Sequence, residues 1–170
     1  LLASRESVSA YRDAFCRLGD HLGQILLEKL DRSKKYGVIA TAEDLDYLVR
    51  GLDSTIRPHV AGLSFACYWN QRVHYGEGIG SAAPIVKKFQ EPGFSEVDDL
   101  IVVKAVISTA CVVRTNITDV IRSVDPHCIH IVAPVIFCDA YQRLIEEFPA
   151  SISGKFIFTY LACDSERDKD

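Results

Sequence analysis

LIVVKAVISTACVVRTNITDVIRSV, residues Leu100 to Val124, opens as a continuous apolar run, Leu100-Ile101-Val102-Val103, as a strand buried on both faces requires. A short connection of small residues follows, Ser108-Thr109-Ala110-Cys111. Val113, Ile117, Val120, Ile121 and Val124 then recur at helical spacing, so the stretch predicts strand, small-residue turn, helix. In an open α/β sheet, ligands bind where the carboxyl end of a strand meets the next helix, because free backbone N–H groups converge there. Small hydroxyl residues at that turn suit a phosphate. The same turn would equally serve as an ordinary βα connection that binds nothing.

Working outward, residues 9–30 form an amphipathic helix with Tyr11, Phe15, Leu18, Leu22, Ile25 and Leu26 on one stripe. Asp31 to Lys35 is a polar break, and Tyr36 to Ala40 a short strand. Thr41-Ala42-Glu43-Asp44 reads as a helix start, with Thr41 as N-cap and Asp44 closing a capping box. Leu45, Leu48, Val49 and Leu52 are the buried stripe of that helix. Val60 to Tyr68 is a strand. Residues 69–99 are irregular, contain Gly76-Glu77-Gly78-Ile79-Gly80, and read as a β-hairpin or flap. Ile129 to Phe137 is a strand edged by Pro134, Asp139 caps a helix to about Phe148, Phe156 to Ala162 is a last strand, and Asp164 to Asp170 is a charged, frayed end. This alternation predicts an α/β fold, a mostly parallel sheet with helices on both faces, in a single domain over 1–170.

The 170 residues are 48% hydrophobic and 25% charged, enough to bury a core. A net charge of −4 and a pI near 5.7 argue against nucleic acid or an anionic membrane as the main partner. No apolar run approaches the ~20 residues of a membrane span, and the start has no signal-peptide pattern. The six cysteines, Cys16, Cys67, Cys111, Cys128, Cys138 and Cys163, are scattered through apolar runs and read as reduced core residues of a cytoplasmic protein. No Cys-x-x-Cys occurs and His127 and His130 lack a second pair, so no zinc site is expected. Methionine is absent even at position 1, so the chain reads as a fragment or a processed form.

The ordered series of segments resembles the type I phosphoribosyltransferases, most closely the uracil phosphoribosyltransferase family. Residues 8–28, VSAYRDAFCRLGDHLGQILLE, resemble that family's first helix, including Arg17-Leu18-Gly19. Residues 100–112 resemble its strand and phosphate loop, Asp-Pro-Met-Leu-Ala-Thr-Gly-Gly-Ser in the family. Residues 131–148, IVAPVIFCDAYQRLIEEF, resemble the next strand and helix, where Ala-Pro-Glu-Gly is usual, and Phe158 to Asp164, FTYLACD, resembles Tyr-Thr-Ala-Ala-Ile-Asp. The resemblance implies transfer of ribose 5-phosphate from phosphoribosyl pyrophosphate to uracil, giving UMP and pyrophosphate, with Mg²⁺ if the chain is active. It also implies a homo-oligomer.

The departures fall on the parts that do this chemistry. Lys104 stands where the family has its aspartate and Ala105 where it has proline; Thr109 is kept beside Ser108, but Ala110, Cys111 and Val112 replace two glycines and a serine. Glycines there let backbone approach phosphate with φ > 0, which Ala and Cys allow less easily. At the pyrophosphate loop, Ala42-Glu43-Asp44-Leu45 replaces Arg-Ala-Gly-Leu, so carboxylates face the leaving group. Two like charges about 4 Å apart repel by roughly 4 kcal/mol at an effective dielectric of about 20. Tyr68-Trp69-Asn70 replaces Tyr-Arg-Asp, with Arg72 as the candidate substitute and Trp69, the only tryptophan, read as core. Asp164 alone carries over to the uracil side, because the chain stops before the family's Pro-Gly-Leu-Gly-Asp segment.

Three readings follow: a degraded family member acting as a binding, regulatory or assembly module with a protein partner; an active uracil phosphoribosyltransferase; or an enzyme of changed specificity holding another phosphorylated small molecule with Lys104 and Thr109. Nucleic acid and membrane partners are not expected.

Overall fold

Each apolar run becomes an element, and the chain alternates as its periodicities require. The computed structural model describes residues 7–74 and 81–165. In chain order these are α1 (Val8–Leu27), β1 (Lys35–Thr41), a helical run over 42–56 here called α2, β2 (Gly62–Asn70), β3 (Val73–His74), β4 (Ser81–Ala82), β5 (Ile85–Gln90), β6 (Asp99–Val103), β7 (Val106–Ile107), α3 (Cys111–Val120), β8 (Ile129–Phe137), α4 (Cys138–Glu146), α5 (Ala150–Ser153) and β9 (Phe156–Asp164). Ser7 caps α1, its hydroxyl accepting the Ala10 N–H at 3.3 Å. In α2 the middle turn, Leu45–Val49, is π-helical.

The main sheet runs β5-β2-β1-β6-β8-β9, with β7 alongside β8 on the β6 side. All pairs are parallel except β2 with the edge strand β5. β1 and β6 are apolar on both sides because both faces are covered. Leu22, Leu26, Leu48, Leu52 and Ile56 of α1 and α2 pack on Tyr36, Val38, Ala40, Ile101 and Val103. Val113, Ile117 and Val120 of α3 and Ala140 and Leu144 of α4 pack on Ile39, Leu100, Val102, Ile129 and Ile131. The α/β architecture with a mostly parallel sheet and helices on both faces is therefore the observed one.

Several local readings are corrected. α3 ends at Val120 rather than Val124, although Val124 remains buried. The connection after β6 is not one turn, since Val106 and Ile107 pair with Val135 and Ile136 before the helix begins. Asp164 belongs to β9 rather than to a frayed tail. β3 and β4 do pair as a hairpin, Val73 opposite Ala82, while the Gly76–Gly80 stretch lies outside the described residues. The cysteines are not all reduced core residues. Cys138 and Cys163 form a disulfide with Cα atoms 5.9 Å apart, and both are exposed. The register brings them together, because Cys163 lies opposite Ile136, two residues before Cys138. Cys16, Cys67, Cys111 and Cys128 form no disulfide.

α1 and α2 cross at glycines. A Cβ on Gly19 would collide with the Leu48 carbonyl oxygen, and one on Gly51 with the Cys16 carbonyl oxygen. Backbone cannot give way as a side-chain tip can, so Gly51→Ala is expected to lower stability by about 1–3 kcal/mol, the usual range for overpacking, in denaturant titration.

The amino ends of the strands carry a buried charge. Asp99, 2% exposed, accepts from Lys34 Nζ at 2.8 Å and from the Cys128 N–H at 2.8 Å. Beside it His130 is 2% exposed, edge-on to Tyr36, with no partner at Nδ1. Burial holds its pKa down to about 4, Asp99 opposing and Lys29 and Lys34 adding to the effect. The unfolded chain, with a histidine pKa near 6.5, binds the proton first, so stability contributed by neutral His130 is full above about 6.5 and lost as pH falls toward 4. Unfolding free energy is expected to fall by roughly 3 kcal/mol across that window from this group, and His130→Leu to remove that part of the slope.

Candidate functional site

Because β1, β2 and β6 are parallel, their carboxyl ends open on one edge of the sheet, and a cleft of about 570 Å³ lies there. Thr41, Ala42 and Glu43 line it from the end of β1 and the start of α2, and Tyr68, Trp69, Asn70 and Arg72 from the end of β2 onward. Lys104 enters after β6, Val112 from the first turn of α3, and Val86 from β5.

Beside this cleft Lys104 is clasped by the carboxylates that open α2. Lys104 Nζ donates to Asp44 Oδ2 at 2.6 Å and stands 3.7 Å from Glu43 Oε2. Thr41 Oγ1 donates to the same Asp44 Oδ2 at 2.7 Å, and the Ala105 N–H donates to Asp44 Oδ1 at 3.2 Å. The expected capping box is therefore not formed. Thr41 occupies the N-cap position, but its hydroxyl serves the Asp44 carboxylate rather than a backbone N–H. Three hydrogen bonds, from Lys104, Thr41 and the Ala105 N–H, satisfy a carboxylate whose side chain is only 4% exposed, which is how a buried charge becomes tolerable. The expectation that Lys104 and the α2 carboxylates face separate parts of a substrate is likewise corrected: they neutralise one another.

Polar pairs back the other wall. Asn70 Nδ2 donates to Asn116 Oδ1 at 2.9 Å and to the Ala83 carbonyl at 3.0 Å, while Asn70 Oδ1 is buried without a partner. Tyr68 donates its hydroxyl to Asp119 Oδ2 at 3.0 Å, and Lys88 Nζ reaches the same oxygen at 2.8 Å. Burial, with the Asp119 charge beside it, pushes the Tyr68 phenol well above its ordinary pKa, so it stays a neutral donor. Trp69, read as core, is 38% exposed at the cleft with Lys87 over its ring.

Of the residues singled out in the sequence, Lys104, Val112, Ala42, Glu43 and Arg72 meet at the cleft, and Asp44 stands behind it as the anchor of Lys104. Ser108, Thr109, Ala110 and Cys111 are not among its lining residues. β7 intervenes between Lys104 and this turn. Ala110 has right-handed helical backbone, φ −67° and ψ −13°, and among the described residues only Gly93 has positive φ. Ala83 packs on Cys111 and Val112, so an apolar contact covers the first turn of α3. Asp164 ends β9, two strands beyond β6, and does not line the cleft. The Asp44 carboxylate is already occupied by an ammonium, and among the described residues no group of three or more His, Cys, Asp or Glu could hold a metal ion. Sequence reasoning missed Asn116 and Asp119. Asn116 falls on the buried stripe of α3, three residues from Val113 and four from Val120, and a polar residue there is a signal.

No family model and no curated protein matches the chain. Solved structures do. The AQ2163 protein from Aquifex aeolicus superposes with a TM-score of 0.70 at 12% identity, over 94% of this chain and 78% of that one. Adenine phosphoribosyltransferase from Trypanosoma brucei, in complex with AMP, pyrophosphate and ribose-5-phosphate, gives 0.58 at 8% identity over 85% and 64%. The fold is type I phosphoribosyltransferase-like. Adenine phosphoribosyltransferase from Thermoanaerobacter pseudethanolicus agrees, with a TM-score of 0.51 at 11% identity over 86% of this chain and 80% of that one. In this phosphoribosyltransferase-like frame the cleft lies where parallel α/β sheets bind ligands. Among the described residues no helix is long and apolar enough to cross a membrane.

Removing one member of a buried ion pair strands the other. Lys104→Met is expected to destabilise the fold by about 3–5 kcal/mol, and the double variant Lys104→Met/Asp44→Leu to recover part of that loss, measured by chemical denaturation.

Proposed function

We propose that this chain is a uracil phosphoribosyltransferase-like protein that does not catalyse phosphoribosyl transfer and acts as a binding, regulatory or assembly module. The observation that carries the reading is the Lys104 clasp. Phosphoribosyl transfer develops positive charge at the ribose and negative charge on departing pyrophosphate, and catalysis needs opposite charge set in advance at each place. At the end of β6, where the family resemblance implies a carboxylate, this chain has an ammonium, and that ammonium is held by Asp44 and Glu43. A ligand phosphate would have to draw Lys104 from a buried carboxylate 2.6 Å away, at the cost of leaving Asp44 uncompensated. The right-handed backbone at Ala110 and the Ala83 contact on Cys111 and Val112 also support the reading, because they leave the turn 108–112 without the glycine cradle of a phosphate loop.

A second reading, an enzyme of changed specificity for another phosphorylated small molecule, is favoured by one observation: Arg72, Trp69 and Asn70 line the same cleft, and Asn70 Oδ1 lacks a partner. In that reading Lys104 is the phosphate contact within the cleft, while Thr109, expected beside it, and Asp164 lie outside the lining.

Purified protein supplied with uracil, phosphoribosyl pyrophosphate and Mg²⁺ is expected to form no UMP. Lys104→Asp alone is expected not to restore it, because Glu43 and Asp44 then face the anionic substrate unpaired. Steady UMP formation that Thr109→Ala abolishes would overturn the proposal. In a thermal-shift series with UMP, UTP and phosphoribosyl pyrophosphate, a ligand at 100 times its Kd adds about 2.7 kcal/mol, which separates a binding module from a purely assembling one.

A further inference from the structure

The carboxyl edge of the sheet carries a second feature that the cleft does not use. β8 and β9 pair from Ile129–Phe156 to Ala133–Tyr160, lose a step at Pro134 and Leu161, and resume from Val135–Ala162 to Phe137–Asp164. Proline has no N–H for a ladder bond, which accounts for the break. Beyond it the two strands are held unequally. The tail of β8 is paired on its other side with Val106 and Ile107 of β7, and its Ile136 is buried. β9 is an edge strand, and Tyr160 to Asp164 are exposed along their whole length.

The covalent tie at this weak end is Cys138–Cys163. Cys138 opens α4, which is anchored in the core through Ala140 and Leu144. Cys163 lies past the Pro134 break. Their Cα separation of 5.9 Å falls within the range that disulfides span. Both are exposed, so small thiols and disulfides can reach them, whereas Cys67 and Cys111 are buried.

We infer that Cys138–Cys163 is a redox latch that fastens the end of β9 to α4, closed by low-molecular-weight disulfides and opened by thiols. In closing, the thiolate of one cysteine attacks a glutathione disulfide, whose S–S bond breaks; one glutathione leaves as thiolate and takes up a proton. The second cysteine's thiolate then attacks the glutathionylated sulfur, forms the Cys138–Cys163 bond and expels the second glutathione. Two electrons pass from the protein thiols to the glutathione disulfide, and opening is the reverse with two glutathione thiols. Once open, residues 162–164 lose their covalent tie to α4 and keep their pairing with β8 beyond a gap in the ladder, at the edge of the sheet, so they exchange faster while the tail of β8 stays between β7 and the core.

The test is full-length protein equilibrated in glutathione buffers from fully oxidised to fully reduced, with the Cys138 and Cys163 peptides assigned as bridged or alkylated by mass spectrometry and hydrogen exchange followed in parallel. The bridged form is expected in oxidised buffer and the alkylated form in reduced buffer, reversibly. A peptide covering 160–165 is expected to exchange at least tenfold faster when reduced, and one covering 129–133 to stay unchanged. Cys163→Ser is expected to show the fast rate in both buffers. No bridge in oxidised glutathione, a bridge that reduced glutathione leaves intact, or exchange at 160–165 that ignores the redox state would each overturn the inference.

Discussion

Parallel pairing is the constraint on which the rest depends. A parallel sheet needs cover on both faces, which explains why β1 and β6 are apolar without alternation and why helices alternate with strands. It also delivers every carboxyl end of β1, β2, β6, β8 and β9 to one edge. The cleft, the Lys104 clasp and the Cys138–Cys163 bridge all stand on that edge because the connections to helices leave it there.

Buried charge marks both ends of the same strands. At the amino edge, Asp99 is held by Lys34 and the Cys128 N–H, and Asp98 accepts the Lys35 N–H at 2.8 Å, so β1, β6 and the start of β8 are tied in register. At the carboxyl edge, Asp44 is held by Lys104, Thr41 and the Ala105 N–H. Each carboxylate is affordable only because its partners come from different elements. The first arrangement closes the bottom of the sheet. The second borders the cleft where a parallel α/β sheet ordinarily receives a ligand, so an anion entering there meets an ammonium that already has an internal partner.

Much of the architecture was legible in the sequence because it rests on periodicity, which is local. Val113, Ile117 and Val120 marked α3, and Leu100 to Val103 marked a strand covered on both sides. Lys104, Ala42, Glu43 and Arg72 could be named as candidates through the family resemblance, and they meet because each follows the end of a strand and the strand ends of a parallel sheet converge. Which of them touch could not be read. Lys104 and Asp44 are sixty residues apart, and a charge in a sequence carries no sign of its partner. Hence two groups that looked hostile to a substrate turn out to satisfy each other.

The sequence by itself determined the order of elements, the faces they bury and the edge at which a site must lie, since hydrophobic spacing and turn chemistry act over a few residues. Only the tertiary structure decided the pairings: Asp44 with Lys104, Asn70 with Asn116, Tyr68 with Asp119, and Cys138 with Cys163. The cysteines show the reason most simply. Each sits in an apolar run that reads as core, but the β8–β9 register carries both past the covered part of the sheet, and register is a property of two strands together.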